Sequence, residues 1–335
     1  MIGINGLGRI GRLAARSLAL RAPGLLQAIN DPAELDTLVH LLRYDSVHSH
    51  DHLDVAGETI NGQDFLLIEG QRIPLFHGKA PADIPWTDTG IRLVVESSGR
   101  FTKRADAARH LRGSISHVLL SAPSPDPDFT VIAPVNGMEL DLAQHRVISN
   151  ASCTAHATAP MLAVLERAFG LQASTMSTVH VATNDQRLVD APHADLRRAR
   201  AAMIGIHPTT SSAFGALKKA MPWLRADFDG WALRVPTLSV NLVDLTATVK
   251  QDVSVNAVNE AFRVAACGEL KGILGIAEAP LVSCDFTGRE ESVVMDLELT
   301  RVLGGRFLKV FGWHDNEIAY AARLVELVRY MAERL

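Results

Sequence analysis

The 335-residue sequence predicts an α/β protein in two parts. Residues 1–149 read as a doubly wound parallel sheet, and residues 150–316 as an α+β unit on a mixed, largely antiparallel sheet. Three observations predict this. A glycine-punctuated turn joins the first strand to the first helix. Short apolar runs then alternate with helical stretches as far as Asn150, whereas longer alternating segments take over from Leu171. One of only three cysteines stands between a strand-like run and a helix.

Ile2 to Asn5 is a short strand, Gly6-Leu7-Gly8-Arg9-Ile10-Gly11 follows, and Leu13, Ala14 and Leu18 carry a helical pattern. In this strand–turn–helix context the glycines form the dinucleotide fingerprint of a Rossmann unit. Gly6 serves the tight turn, Gly8 the approach to a pyrophosphate, and Gly11 close helix–strand packing. A second strand, Leu25 to Asn30, ends at Asp31, near the roughly 20-residue offset at which an acid binds the adenosine ribose. A turn former or helix cap is the plainer reading of that aspartate. Ile91–Glu96 and His117–Ser121 are further strands, and the helix-like stretch between them suits a βαβ unit.

Val147 and Ile148 lead into Ser149-Asn150-Ala151-Ser152-Cys153-Thr154. Leu162, Leu165, Ala168 and Phe169 recur at helical spacing, predicting a helix from about Thr154 to Phe169. Cys153 then sits at a helix N-terminus, where unpaired N–H groups favour negative charge and draw a thiol pKa down from about 8.5. A buried cysteine acting as a small hydrophobe is the alternative. Beyond Leu171, the segments Ser174–Val179, Trp231–Val235, Asn241–Val249, Val293–Leu303 and Phe307–Trp313 alternate as strands of a sheet with one covered face. His180 ends the first of them. The charged stretch His193–Arg200 is too polar for core, and a last helix runs from about Ile318 to Arg334.

A formal net charge of -4 gives no general attraction to nucleic acid or anionic membranes, so anionic ligands need local groups. The opening strand leaves no room for a signal peptide, and no apolar run is long enough to span a bilayer. Cys153, Cys267 and Cys284 are too few and too scattered for a disulfide framework or a zinc site, so no metal and a cytoplasmic location are expected.

The chain resembles the glyceraldehyde-3-phosphate dehydrogenases of the bacterial phosphorylating type. Beside the glycine and cysteine segments, the likeness rests on Thr183-Asn184-Asp185-Gln186-Arg187, Asp195-Leu196-Arg197-Arg198-Ala199-Arg200, Arg234-Val235-Pro236-Thr237, Lys271-Gly272-Ile273-Leu274-Gly275 and Trp313-His314-Asp315-Asn316-Glu317. It covers nearly the whole chain. The resemblance implies NAD as cofactor, glyceraldehyde 3-phosphate and inorganic phosphate (or arsenate) as partners, and a homotetramer. It also implies an S-shaped loop over about 181–205 that meets a neighbouring subunit, and a C-terminal helix, 317–335, that packs on the nucleotide domain. Cys153 is the implied nucleophile and His180 the base. Thr183 and Arg234 are implied at the substrate phosphate, and Ser152, Thr154, Arg200 and Ser211 at the inorganic phosphate. Arg9 and Ile10 are implied at the pyrophosphate, Asp31 at the ribose, Ser98, Gly99 and Phe101 at the adenine, Ser121 at the nicotinamide ribose, and Asn316, backed by Tyr320, at the carboxamide.

The sequence departs from that pattern after Thr154, where Ala155, His156 and Ala157 replace the usual threonine, asparagine and cysteine. Ser211-Ser212 replaces a threonine–glycine pair, and Gly215 a lysine. These changes predict weakened phosphate binding. Three readings remain open: the phosphorylating enzyme, including an arsenate-using secondary copy; a hydrolytic erythrose-4-phosphate dehydrogenase; and a nucleotide-binding regulatory protein without activity.

Overall fold

A computed structural model describes residues 1–48, 53–224 and 228–335. The chain divides into two compact units, one of Met1–Ala133, Gly137–Ala151 and Ala321–Leu335, the other of Pro134–Asn136 and Ser152–Tyr320.

In chain order the first unit begins with β1 (Ile2–Asn5), α1 (Arg9–Arg21), β2 (Leu26–Asn30), α2 (Leu35–Arg43), β3 (Val55–Ile60), β4 (Gln63–Ile68) and β5 (Gln71–Phe76). It continues through β6 (Leu93–Glu96), α3 (Arg104–Ala107), β7 (His117–Leu120) and β8 (Phe129–Thr130) to the short α4 (Ala133–Asn136) and β9 (Val147–Ser149). The sheet order is β3-β4-β5-β2-β1-β6-β7-β9-β8. Its centre, β5-β2-β1-β6-β7-β9, is parallel throughout and has the order of a dinucleotide-binding sheet. Ile2, Ile4, Ile29, Leu93 and Val95 are fully buried in one core with Leu324, Val325, Val328 and Met331 from the end of the chain.

Two sequence readings need correction here. The segment between Ile91–Glu96 and His117–Ser121 holds only the four-residue α3 and a 3₁₀ turn, not a full crossover helix. The edge β3-β4-β5 is an antiparallel meander that the alternating-run reading missed. Its turns are Asn61-Gly62 and Glu69-Gly70, with all four residues at positive φ. Two-residue loops of that kind match the twist of a hairpin, and Asn-Gly between apolar runs was the available signal.

The second unit holds α5 (Cys153–Phe169), β10 (Leu171–Val181), β11 (His207–Thr209), α6 (Ala213–Ala220), β12 (Asp229–Val235) and β13 (Asn241–Val249), then α7 (Val255–Cys267), β14 (Leu274–Ala277), β15 (Val293–Leu303), β16 (Phe307–His314) and the start of α8 (Ile318–Ala332). The sheet order is β11-β12-β10-β13-β16-β15-β14, antiparallel except where β10 meets β12 and β14 meets β15. β13 alternates strictly between buried and half-buried residues, and α5 packs against β10, β13, β15 and β16. The sheet therefore has one covered face, and its apolar stripe fixes the register.

Candidate active site

In the nucleotide-binding unit the site is built mainly from backbone. Gly6 has φ +96, and a Cβ there would stand 2.5 Å from the Ser98 nitrogen. A Cβ at Gly11 would stand 1.9 Å from the Gly6 carbonyl oxygen, so helix and turn touch through glycine alone. Gly8, the N-cap of α1, and Gly99 have nothing within 4 Å of an added Cβ, which leaves open space where a pyrophosphate and an adenine are expected. Arg9 and Ile10 open the helix; the Arg9 side chain pairs with Asp45 at 2.8 Å, and Ile10 packs on the core. Asp31 accepts the Leu7 N–H at 2.8 Å and the Ala33 N–H at 2.9 Å, holding its carboxylate beside the glycine turn. Buried Glu96 accepts from the Ser98 N–H at 2.9 Å and from Asn5, which fixes the turn of Ser98 and Gly99; Phe101 beyond it is half-buried. Ser121 donates to Ser97 at 2.9 Å.

In the second unit the site is built from side chains on separated strands. Ser152 caps α5 by accepting the Ala155 N–H at 3.2 Å, a role the sequence reading did not give it. Ala151, just before the cap, lies at φ +50, a left-handed conformation that L residues adopt sparingly. The turn sets Cys153 as the first helical residue. Its sulfur lies 3.8 Å from His180 Nε2 and 3.9 Å from Thr154 Oγ1. His180 Nδ1 is 2.9 Å from the Val181 carbonyl oxygen, an acceptor only, so the ring proton sits on Nδ1 and the Nε2 lone pair faces the thiol. His180 and Arg234 are register partners on β10 and β12. Arg234 donates to Thr183 Oγ1 at 2.8 Å and to the same Val181 carbonyl at 3.2 Å.

Electrostatics leave this couple uncharged, against the sequence expectation of a lowered thiol pKa. Burial pushes the half-buried Cys153 thiol up, outweighing the Thr154 hydrogen bonds and the Arg234 charge that pull it down. Burial, and then Arg234, hold His180 down at about 3. The free protein therefore presents thiol and neutral imidazole.

Two expected anion-binding residues do not join the cluster. Arg200 is exposed and paired with Asp190 at 3.0 Å. Ser211 accepts the Ala213 N–H at 3.2 Å and lines a surface hollow of about 470 Å³ with Asp229, Gly230 and Trp231. The register explains this: His207 pairs with Arg234 and Thr209 with Ala232, so the chain moves away from Arg234 at roughly 3.3 Å per residue and reaches Ser211 near the far end of β12. Of the arginines in this loop it is Arg198, which the sequence reading left among the surface charges, that lies near Arg234. It donates to Thr209 Oγ1 at 3.0 Å, pairs with Asp185, and lies near enough for its charge to lower the Arg234 pKa. The run Arg197-Arg198-Ala199-Arg200 offers three arginines, and only the loop path selects among them. Asn316 is buried and accepts the Val240 N–H at 3.2 Å, while His156 packs edge-on against Tyr320 at 5.9 Å.

The cysteine–histidine couple of the second unit and the glycine turn of the first each have counterparts. Residues 1–104 match the NAD binding domain of glyceraldehyde 3-phosphate dehydrogenase, and residues 152–316 match its C-terminal domain. The chain belongs to the glyceraldehyde-3-phosphate dehydrogenase family. It is 45% identical over 333 residues to glyceraldehyde-3-phosphate dehydrogenase 1 of Bacillus cereus, covering 99% of this chain and 98% of that one. It is 45% identical over 334 residues to the enzyme of Geobacillus stearothermophilus, with the same coverage of 99% and 98%. With glyceraldehyde-3-phosphate dehydrogenase 2 of Streptomyces avermitilis it shares 42% over 335 residues, covering 100% of this chain and 99% of that one. Membership makes NAD the cofactor of the glycine turn, and the open space at Gly8 and Gly99 fits it. Among the described residues no helix is long and apolar enough to cross a membrane.

Proposed function

We propose that the protein oxidises glyceraldehyde 3-phosphate with NAD and inorganic phosphate to 1,3-bisphosphoglycerate through a hemithioacetal and a thioester on Cys153. The observation that carries this reading is the Cys153 sulfur at a helix N-terminus, 3.8 Å from a His180 Nε2 whose ring partner Nδ1 meets a carbonyl oxygen. Cys153 Sγ attacks the aldehyde carbon while Nε2 takes the thiol proton and passes it to the carbonyl oxygen. The Cys153 N–H and His180 stabilise the oxyanion. NAD held at the glycine turn would supply the two-electron hydride acceptor for the hemithioacetal carbon, and His180 Nε2 takes the hydroxyl proton as the thioester forms. Phosphate attack on the thioester then releases the acyl phosphate and restores the thiol.

Arg234 and Thr183 hold the substrate phosphate; Arg198, Ser152 and Thr154 are the groups available to the second anion. Asp31 binds the ribose and disfavours a 2′-phosphate. With its oxygen committed to Val240, Asn316 has its amide nitrogen left to donate to the carboxamide. Exposed apolar residues on the S-loop, Leu188, Val189, Leu196, Ile204 and Ile206, suit a subunit contact in a homotetramer, and three free cysteines suit a cytoplasmic location. The hydrolytic reading, erythrose-4-phosphate oxidation with water as acyl acceptor, is favoured by one observation, the removal of Arg200 and Ser211 from the cluster.

NADH formation with each aldehyde phosphate, with and without phosphate or arsenate, separates the two. Acceleration by either anion with glyceraldehyde 3-phosphate is expected; a rate indifferent to both and faster with erythrose 4-phosphate supports hydrolysis. Cys153→Ser should cut the rate by at least about 10³-fold while keeping NAD binding. An active Cys153→Ser variant would overturn the assignment.

A further inference from the structure

A row of polar residues crosses one end of the second sheet. His207 stands opposite Arg234, Arg234 opposite His180, and Asn241 opposite His314. Backbone pairing of β10 with β13 ends at Val179 and Leu242, which leaves the Val181 N–H beyond the ladder. Asn241 Oδ1 accepts that N–H at 2.9 Å, so a side chain extends the ladder where the backbone stops.

The remaining half of the amide follows. With its oxygen committed, Asn241 presents Nδ2 to His314 Nε2 at 3.2 Å. An amide nitrogen only donates, so Nε2 is the acceptor and the His314 proton is on Nδ1. Asn241 and His314 are 0% and 1% exposed, and burial holds the His314 pKa down at about 3, helped by His180. Val240, just before Asn241, lies at φ +67, an unfavourable conformation for a β-branched residue, and Asn316 holds its N–H. A buried imidazole and a strained valine are costly features at this strand start unless they serve the site.

We propose that Asn241 and His314 are positioning residues for the base, an inference that rests on the Cys153–His180 reading above. The Val181 N–H belongs to the peptide that joins His180 to Val181, so Asn241 fixes the backbone that carries the imidazole. His314 fixes Asn241 in turn: an acceptor at Nε2 keeps the amide oxygen on Val181. A proton at that nitrogen would set two donors face to face and turn the amide over. Among the described residues the ionisable groups that face His180 are Cys153 from α5, Arg234 from β12 and His314 from β16.

The test uses the full-length protein, NAD reduction with glyceraldehyde 3-phosphate and phosphate, and the pH profile of Cys153 alkylation by iodoacetamide. Asn241→Leu and His314→Leu should lower kcat by about tenfold, with the aldehyde KM within about twofold, and should move the alkylation profile. His314→Gln keeps an acceptor for Asn241 and should recover most of both. Thermal unfolding is measured alongside. Leucine variants with wild-type kcat and alkylation overturn the inference, as does a loss that simply tracks the folded fraction. If Asn241→Leu does not fold, the His314→Leu and His314→Gln pair decides. If Cys153 is not the fast-reacting thiol of the unaltered protein, the site reading fails; if it is, and the variants match it, only this inference fails.

Discussion

In the nucleotide-binding unit the groups expected to meet the ligand stand on two turns, Gly6–Gly11 and Ser98–Gly99, and act chiefly through backbone geometry. In the second unit Cys153, His180, Arg234 and Thr183 meet as side chains brought from one helix, two strands and a loop. A backbone-built site leaves a compact mark in the sequence, because glycine at fixed spacing is the only residue that fits. A side-chain-built site depends on which strands pair and in what register, and that information is spread over about eighty residues.

The contrast breaks most severely at Gly11. Alanine there would meet the Gly6 oxygen at 1.9 Å, so Gly11→Ala should cost at least about 3 kcal/mol in chemical denaturation and abolish NAD binding. Gly8→Ala, with nothing within 4 Å, should cost only about 1 kcal/mol as a lost cap preference while still weakening NAD in a titration. Equal effects at both positions would mean that the turn is not held by contact.

A smaller effect sharpens the second half of the comparison. Arg198→Ala should raise the KM for an anionic substrate by about tenfold, whereas Arg200→Ala, which breaks only an exposed pair with Asp190, should leave steady-state kinetics within about twofold. The reverse order would return Arg200 to the anion site.

The smallest effect is a slope. His180 and His314 both titrate near about 3 when folded, whereas an unfolded imidazole titrates near about 6.5. Below the unfolded value the denatured chain binds protons that the native state refuses. Stability contributed by these neutral rings is therefore complete above about pH 6.5 and falls away as the pH drops toward 3. Denaturation midpoints measured through that window should decline, and less steeply in His314→Gln, which removes one of the two protons.

What could be read in advance follows the same division. The glycine turn, the helix that begins at Cys153 and the strand Asn241–Val249 are local patterns, and the structure has them where the sequence predicts. The meander β3-β4-β5 was legible from Asn61-Gly62 but lay outside the alternating-run reading. That Arg198 is half-buried near Arg234 while Arg200 is exposed could not be read from spacing alone, since the path of the loop is set by pairing of His207 with Arg234. The His314–Asn241 bond was likewise invisible, because it links residues 73 positions apart across two strands.

The Val181 carbonyl carries a consequence for proton traffic. Its oxygen takes His180 Nδ1 on one side and Arg234 on the other, so both lone pairs are spoken for. The partner of Nδ1 among the described residues is thus a carbonyl, which carries no exchangeable hydrogen. On the mechanism proposed above, a proton collected from the sulfur would be held on the front face of the ring, at Nε2, for delivery to the oxygen of the substrate. If His180 is the base proposed above, it would work as a two-stop shuttle between the sulfur and the substrate oxygen.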